Sequence, residues 1–242
     1  MPISRITIGF QRMQKSNNMT LKEMVPDVIN CQLCPRLREH IRSVGINKKS
    51  EFRMDDYWSK PVPSFGDPKA SLLIVGLAPA AHGANRTGRM FTGDSSGEWL
   101  MRAMFETGFA NLPNSISIND GLELKNAYVT SVVKCAPPNN KPTYNEIFNC
   151  STHLKKEIEL LKETLKVVIA LGKIAFDTYC NVTNIDGLKF GHGGIYPTDL
   201  ERILIVSYHP SRRNTNTGLL TWPMWIEIFK KAKSIIDNSP NF

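Results

Sequence analysis

Four short apolar runs punctuate the chain: Ser71–Gly76 (SLLIVG), Ala127–Val133, Lys166–Leu171 (KVVIAL) and Arg202–Ser207 (RILIVS). Each is almost continuously apolar and too short for an ordinary helix, so each predicts a strand buried on both faces. Between them the period changes to that of a helix. Over Ser95–Thr107 the residues Trp99, Leu100, Met104 and Phe105 share one stripe. Thr143–Glu163 predicts a long helix with Thr143 as its N-cap, and another helix follows Gly172. Residues 219–236 predict a closing helix, with Pro223 in its first turn or breaking it. Residues 20–30 (TLKEMVPDVIN) carry apolar positions at helical spacing, whereas the polar, Pro-bearing stretch Asn47–Asp67 has no clear period. That stretch predicts a surface excursion or a small hairpin. Strands alternating with helices imply an α/β fold with a mainly parallel sheet covered on both faces. Ligands of such sheets bind beyond the carboxyl ends of the strands. Three unusual segments fall there: 77–94, 134–142 and 208–218.

Composition narrows the class. At 242 residues, 41% hydrophobic and 21% charged, the chain reads as a folded protein rather than a disordered one. A chain of this length buries about 70% of its unfolded surface and needs no disulfide staples. No apolar run approaches the roughly 18 residues of a membrane span, and charges interrupt the only apolar stretch near the N-terminus. The expectation is therefore a cytoplasmic or nucleoid-associated protein. The formal net charge of +8 is uneven: residues 1–60 hold 11 basic and 6 acidic side chains, and residues 211–242 hold 5 and 2. Positive ends around a neutral middle suit a polyanion partner, and equally suit a soluble protein of high pI.

Five cysteines without a secretion signal argue against a disulfide framework. Cys31 and Cys34 form a C-x-x-C, and Cys135 and Cys150 stand 14 residues apart further on. Four thiolates from two distant segments suit zinc or a [4Fe–4S] cluster, and the spacing does not choose between them. A redox pair or small core residues are the alternatives. Cys180 has no partner spacing and reads as a free thiol.

Two segments carry further chemistry. Gly76–Asp94 (GLAPAAHGANRTGRMFTGD) is rich in small residues that let a backbone approach a ligand closely. It is neither a dinucleotide fingerprint nor a P-loop, because no GK[ST] occurs. Phe91 and Asp94 near its end suit a base stacked on a ring beside a charge, although Asp94 can equally cap the next helix. In Tyr208–Thr221 (YHPSRRNTNTGLLT), His209 stands just past a strand end, where it can donate a hydrogen bond into the crevice. Ser211, Arg212 and Arg213 can hold phosphates. Leu219 and Leu220 read either as a wedge into a base stack or as the start of the last helix's core stripe.

Taken together, the Gly76–Asp94 string, the His209–Thr221 string and the cysteine frame resemble the uracil-DNA glycosylases of family 5, the type B enzymes, over about residues 21–235. The resemblance implies a three-layer α/β/α sandwich with a four-stranded, mainly parallel central sheet, in one domain over 19–242. Residues 1–18 lie outside it, as an N-terminal extension. It implies a [4Fe–4S] cluster on Cys31, Cys34, Cys135 and Cys150. It further implies a monofunctional glycosylase of base excision repair that acts as a monomer on DNA. The enzyme would flip out uracil and other deaminated bases, such as hypoxanthine and xanthine, and hydrolyse the N-glycosidic bond. In that reading Asp94 and His209 are catalytic, and Phe91 stacks on the base. Gly76, Leu77, Ala78 and Ser131 line the base pocket, while Ser211, Arg212, Arg213, Asn214 and Leu219 meet the DNA. Two positions depart from related iron–sulfur glycosylases. Leu77 stands where others carry an acid, a loss that the type B pattern shares, and Ser131 stands where others carry Asn. Ser131 puts strict uracil selectivity in question and leaves a non-catalytic damage-binding relative as the alternative.

Overall fold

The structure, a computed structural model, describes residues 19–198 and 200–238; the N-terminal extension over 1–18 lies outside the described residues. Six strands follow in chain order: β1 Phe65–Gly66, β2 Leu72–Gly76, β3 Ala127–Ser131, β4 Val167–Leu171, β5 Ile195–Pro197 and β6 Ile203–Ser207. The α-helices are α1 Met24–Ile29, α2 Pro35–Ile46, α3 Ala84–Thr87, α4 Ser95–Glu106, α5 Tyr144–Leu160, α6 Lys173–Thr183, α7 Arg212–Asn216 and α8 Trp222–Asn238.

The sheet order is β1-β3-β2-β4-β6-β5. The four strands anticipated from apolar runs, β3, β2, β4 and β6, form the parallel centre. The expected four-stranded sheet is thus corrected to six, because β1 and β5 add antiparallel edges to β3 and β6. These edges are two and three residues long and only partly covered, so they show neither an apolar run nor an alternation. Every residue of β2, β3 and β4 is buried, as a sheet covered on both faces requires. Leu72, Ile74, Val129, Ile169 and Ile205 enter one core with Leu100, Met104, Trp225 and Phe229 of α4 and α8. The alternate residues Leu73, Val75, Tyr128, Val168 and Leu204 enter a second core with Leu37 of α2, Leu154 of α5 and Phe176 of α6. The three layers follow from this period-two division of the strands.

Local signals set the boundaries. Thr143 caps α5 through a full capping box with Glu146. Pro223 sits in the first turn of α8 rather than breaking it, where its missing N–H is harmless. The stretch over 47–67 forms no hairpin. It folds back through a short turn at Ser50–Phe52 and ends in the edge strand β1. The chain runs from β2 to β3 on one side and then past β2 to β4 on the other. Strand order therefore reverses at β2, and a crevice opens beyond its last residue, Gly76.

Candidate active site

The segment after β2 is held from three directions. Trp58 and Ser59 donate their N–H groups to the carbonyls of Arg86 and Asn85, at 3.0 and 3.1 Å. Arg86 bonds Asp55 at 2.6 Å and the His82 carbonyl at 2.9 Å, and Tyr57 hydrogen-bonds His82 at 2.9 Å. The surface excursion anticipated from sequence is thus a clamp on the glycine-rich loop. On the other side Arg89, buried, forks onto Asp120 at 2.9 and 2.6 Å and also reaches Thr92 and Ser115. Burial pushes the Asp120 carboxyl up, but Arg89 and the N–H groups of Leu122, Ile116 and Ser117 outweigh it and hold it far below the carboxylate range. Beneath the loop, the N–H groups of Val132 and Val133 donate to the carbonyls of Gly76 and Leu77, at 2.9 Å each. Leu77 and Ala78 begin the loop half-buried at the crevice.

Phe91 occupies the left-handed region at φ 51°, a conformation uncommon for a side-chain-bearing residue. Its ring lies across the end of β2, and a side chain at Gly76 would meet it at 2.8 Å. That contact explains glycine at Gly76. The Phe91 ring also faces His209 in a near-parallel pair, with centroids 6.2 Å and planes 26° apart. His209 follows β6, and among the described residues no hydrogen bond reaches its ring. Desolvation pushes its pKa down to about 4, so it is a neutral imidazole at physiological pH. Asp94 is the N-cap of α4, accepting the Gly97 N–H at 2.9 Å through Oδ1. Its other oxygen, Oδ2, faces Gly83, where any side chain would collide with it. Burial raises the Asp94 pKa against the opposing N–H groups of Gly97 and Ser96. Both residues are half-buried: protein surrounds them, yet each keeps some surface open, as at the floor of a crevice. Oδ1 of Asp94 thus caps the helix, while Oδ2 packs against Gly83.

The two sequence motifs meet. Ser96 donates to the Pro210 carbonyl at 3.0 Å, and Arg212 Nε donates to Ser95 Oγ at 3.2 Å. Ser211 caps α7 by accepting from the Asn214 N–H, and the Asn214 amide reaches back to the His209 carbonyl at 2.9 Å. Asn214 therefore braces the histidine loop, while Arg212 and Arg213 remain exposed on α7. The wedge pair divides: Leu220 is buried in the core, whereas Leu219 is 48% exposed beside it. Ser131 pairs with Gly76 across the two central strands. Its hydroxyl, buried, donates to the Val133 carbonyl at 2.8 Å, leaving only lone pairs to offer. One supporting residue was missed from sequence. His192 accepts the Tyr208 N–H at Nδ1, 3.2 Å away, and stacks on the Tyr208 ring, steadying the strand end that carries His209. Its only sequence signal was a histidine in the glycine-rich GHGG turn before β5.

The four cysteines come together beside the fold's second core, which Cys135 and Cys150 enter. Cys31, Cys34, Cys135 and Cys150 line one cavity with Leu37 and Arg38. The Lys134 N–H donates to Cys150 Sγ at 3.2 Å. Burial, with mutual repulsion among the thiolates, pushes Cys150 up to about 12 and Cys135 higher still; burial likewise raises Cys34. Among the described residues no three His, Cys, Asp or Glu side chains converge on a point that would hold one metal ion. Cys180 stands apart as a free thiol near the end of α6.

Adjoining the cysteines, Lys134 Nζ is buried against Glu157 at 2.9 and 3.0 Å, Ser64 at 2.8 Å and Thr130 at 2.6 Å. Those two hydroxyls in turn donate to Glu157, at 2.7 and 2.5 Å. Nothing in the sequence pattern announced this network.

Asp94 and His209 thus stand in the loops that follow the parallel strands of a three-layer α/β fold, where ligands of such sheets bind. The family model of the uracil DNA glycosylase superfamily matches residues 63–233. "Type-5 uracil-DNA glycosylase" of Thermus thermophilus is 43% identical over 90% of this chain and 99% of its own length. The protein of that name from Pyrobaculum aerophilum is 42% identical over 87% and 91%. A "Type-4 uracil-DNA glycosylase" of Sulfurisphaera tokodaii is 27% identical over 89% and 84%. The chain belongs to the uracil-DNA glycosylase superfamily, in its type-5 group.

Proposed function

We propose that this chain is a monofunctional uracil-DNA glycosylase of base excision repair, with hypoxanthine and xanthine as further substrates. The observation that carries the reading is the joining of the two motif segments, with the Phe91 ring facing His209 and Ser96, two residues past Asp94, on the Pro210 carbonyl, on a chain over 40% identical to type-5 relatives. Breaking a deoxyribosyl N-glycosidic bond develops positive charge on the sugar and negative charge on the departing base, and both need stabilisation. The free oxygen of Asp94 serves the sugar cation and orients water. His209, neutral, donates a hydrogen bond to the base oxygen without giving up its proton. Phe91 stacks on the flipped base, and N–H groups around Gly76, Leu77 and Ala78 bind its carbonyls. No lysine lies among these residues to form a Schiff base, so the product is an abasic site. Flipping costs a few kcal/mol. Leu219 entering the stack offsets it, with Ser211, Arg212, Arg213 and Asn214 on the backbone phosphates.

Cys31, Cys34, Cys135 and Cys150 hold a [4Fe–4S] cluster in this reading. The donor set fits: four soft sulfurs around one cavity, with Lys134 N–H already on Cys150. Four thiolates suit zinc as well as a cluster, and the likeness to the type-5 enzymes is what favours the cluster. The cluster would tie the start of α2 to α5. We further propose one domain over 19–242, a monomer acting in the cytoplasm on nucleoid DNA; among the described residues no helix is long and apolar enough to cross a membrane.

One observation favours a second reading, a non-catalytic damage-binding relative: the Ser131 hydroxyl is committed to Val133 rather than to a base edge. Base release from DNA carrying uracil, hypoxanthine or xanthine separates the two. Cluster-loaded wild type should release all three, and Ser131→Asn should shift the preference toward uracil. Tight binding of damaged DNA with no base released would favour the second reading.

A further inference from the structure

Three cations flank the four cysteines. Arg36 is 46% exposed and forks onto Glu146 at 2.8 and 2.7 Å. The Lys134 ammonium is held by Glu157, Ser64 and Thr130. Arg38 differs from both. It lies one turn beyond Cys34 on α2, with its N–H on the Cys34 carbonyl at 3.0 Å. Its side chain lines the cysteine cavity and is 9% exposed. Its Nε and Nη1 are buried without a partner among the described residues. A buried guanidinium with two idle donors is costly unless something accepts from it. It shares the cavity wall with apolar side chains, Lys134 and the four cysteines, whose sulfurs are the side-chain acceptors lining it.

We infer that Arg38 is a positioning residue for the cluster, donating charge-assisted N–H···S hydrogen bonds that hold it in place and raise its reduction potential. The inference rests on the [4Fe–4S] reading. Hydrogen bonds to sulfur and nearby positive charge both stabilise the more negatively charged, reduced level of such a cluster. Removing Arg38 should therefore make the cluster harder to reduce and easier to lose.

The test uses full-length, cluster-loaded protein titrated anaerobically with a chemical reductant while the visible absorbance is followed. Arg38→Met should lower the potential by about 60 mV, the equivalent of a tenfold change in a one-electron equilibrium. It should also release iron to a chelator several-fold faster. Arg38→Lys keeps the charge and stem but not the fork, so its potential should fall between the two; it also serves if Arg38→Met fails to fold. A potential unchanged in both variants, with full iron retained, overturns the role of Arg38 alone. An unchanged potential with a DNA-binding salt slope reduced by about one would reassign the side chain to a phosphate. Wild type that binds no iron overturns both this role and the cluster reading, before any variant is compared.

Discussion

Two polar clusters at the ends of the central strands treat burial in opposite ways. Around Lys134 and Glu157 the charges are almost fully enclosed, at 2% and 3% side-chain exposure, and every donor meets an acceptor. Asp94 and His209 are also surrounded by protein, yet among the described residues no hydrogen bond reaches the His209 ring, which faces Phe91, and one Asp94 oxygen faces a glycine. The first cluster satisfies itself and fastens β3, α5 and the cysteine segment together. The second leaves its chemistry unspent, with a depressed histidine pKa and a raised carboxyl pKa at the floor of a crevice. Perturbed groups left without partners are where functional sites concentrate, and substitutions in the two clusters test this contrast.

That contrast predicts where each substitution will be felt. Asp94→Asn keeps the helix cap, since Asn and Asp cap equally well, but removes the charge. Single-turnover base release should fall by about 10²- to 10⁴-fold, with the unfolding midpoint nearly unchanged. A rate within tenfold of wild type would erase the distinction between the clusters. Lys134→Met should do the reverse. Stranding Glu157 costs about 3–5 kcal/mol in denaturant unfolding, while the rate per folded molecule holds. Adding Glu157→Leu should return much of that stability. Recovery of none would mean that the network does more than satisfy its own charges.

The pH dependence of stability sharpens the same point. His209 takes up its proton near pH 4 in the fold, against a usual value of 6.5. Between those values the unfolded chain binds more protons, so stability falls as pH drops through that window. Asp94 acts in the opposite sense, because its raised pKa favours proton uptake by the fold. From pH 7 to 4.5, urea unfolding of wild type should therefore lose on the order of 1–2 kcal/mol more than His209→Asn does. Equal losses would place His209 in open solvent. The smallest effects belong to exposed cations: Arg212→Ser and Arg213→Ser should each lower the salt slope of DNA binding by about one, whatever base the site carries.

Most of the architecture was legible in the sequence because β2, β3, β4 and β6 are buried on both faces and write themselves as continuous apolar runs. The edge strands were not, because a ladder two residues long leaves no period. The motif segments announced the crevice through small residues, yet Asp94 could be read as a cap or as a catalytic group; the structure shows the cap through Oδ1 and sets Oδ2 against Gly83, and base release by Asp94→Asn decides the rest. Leu219 and Leu220 are identical letters in the sequence; the turn between α7 and α8 sends one into the core and leaves the other at the surface. The Lys134 network and the clamp of Tyr57, Trp58 and Asp55 on the glycine loop were illegible. Each joins residues tens of positions apart through side chains that look like ordinary surface polarity when read along the chain.

The central claim is that this crevice breaks the glycosidic bond by stabilising separated charges, with no covalent bond to the protein. It is tested most directly by incubating cluster-loaded wild type with duplex DNA bearing one uracil, and weighing the products under borohydride. Free uracil and an intact strand carrying an abasic site, with no protein–DNA adduct, is the predicted result. No released uracil, or a trapped adduct with a cleaved strand, would contradict it.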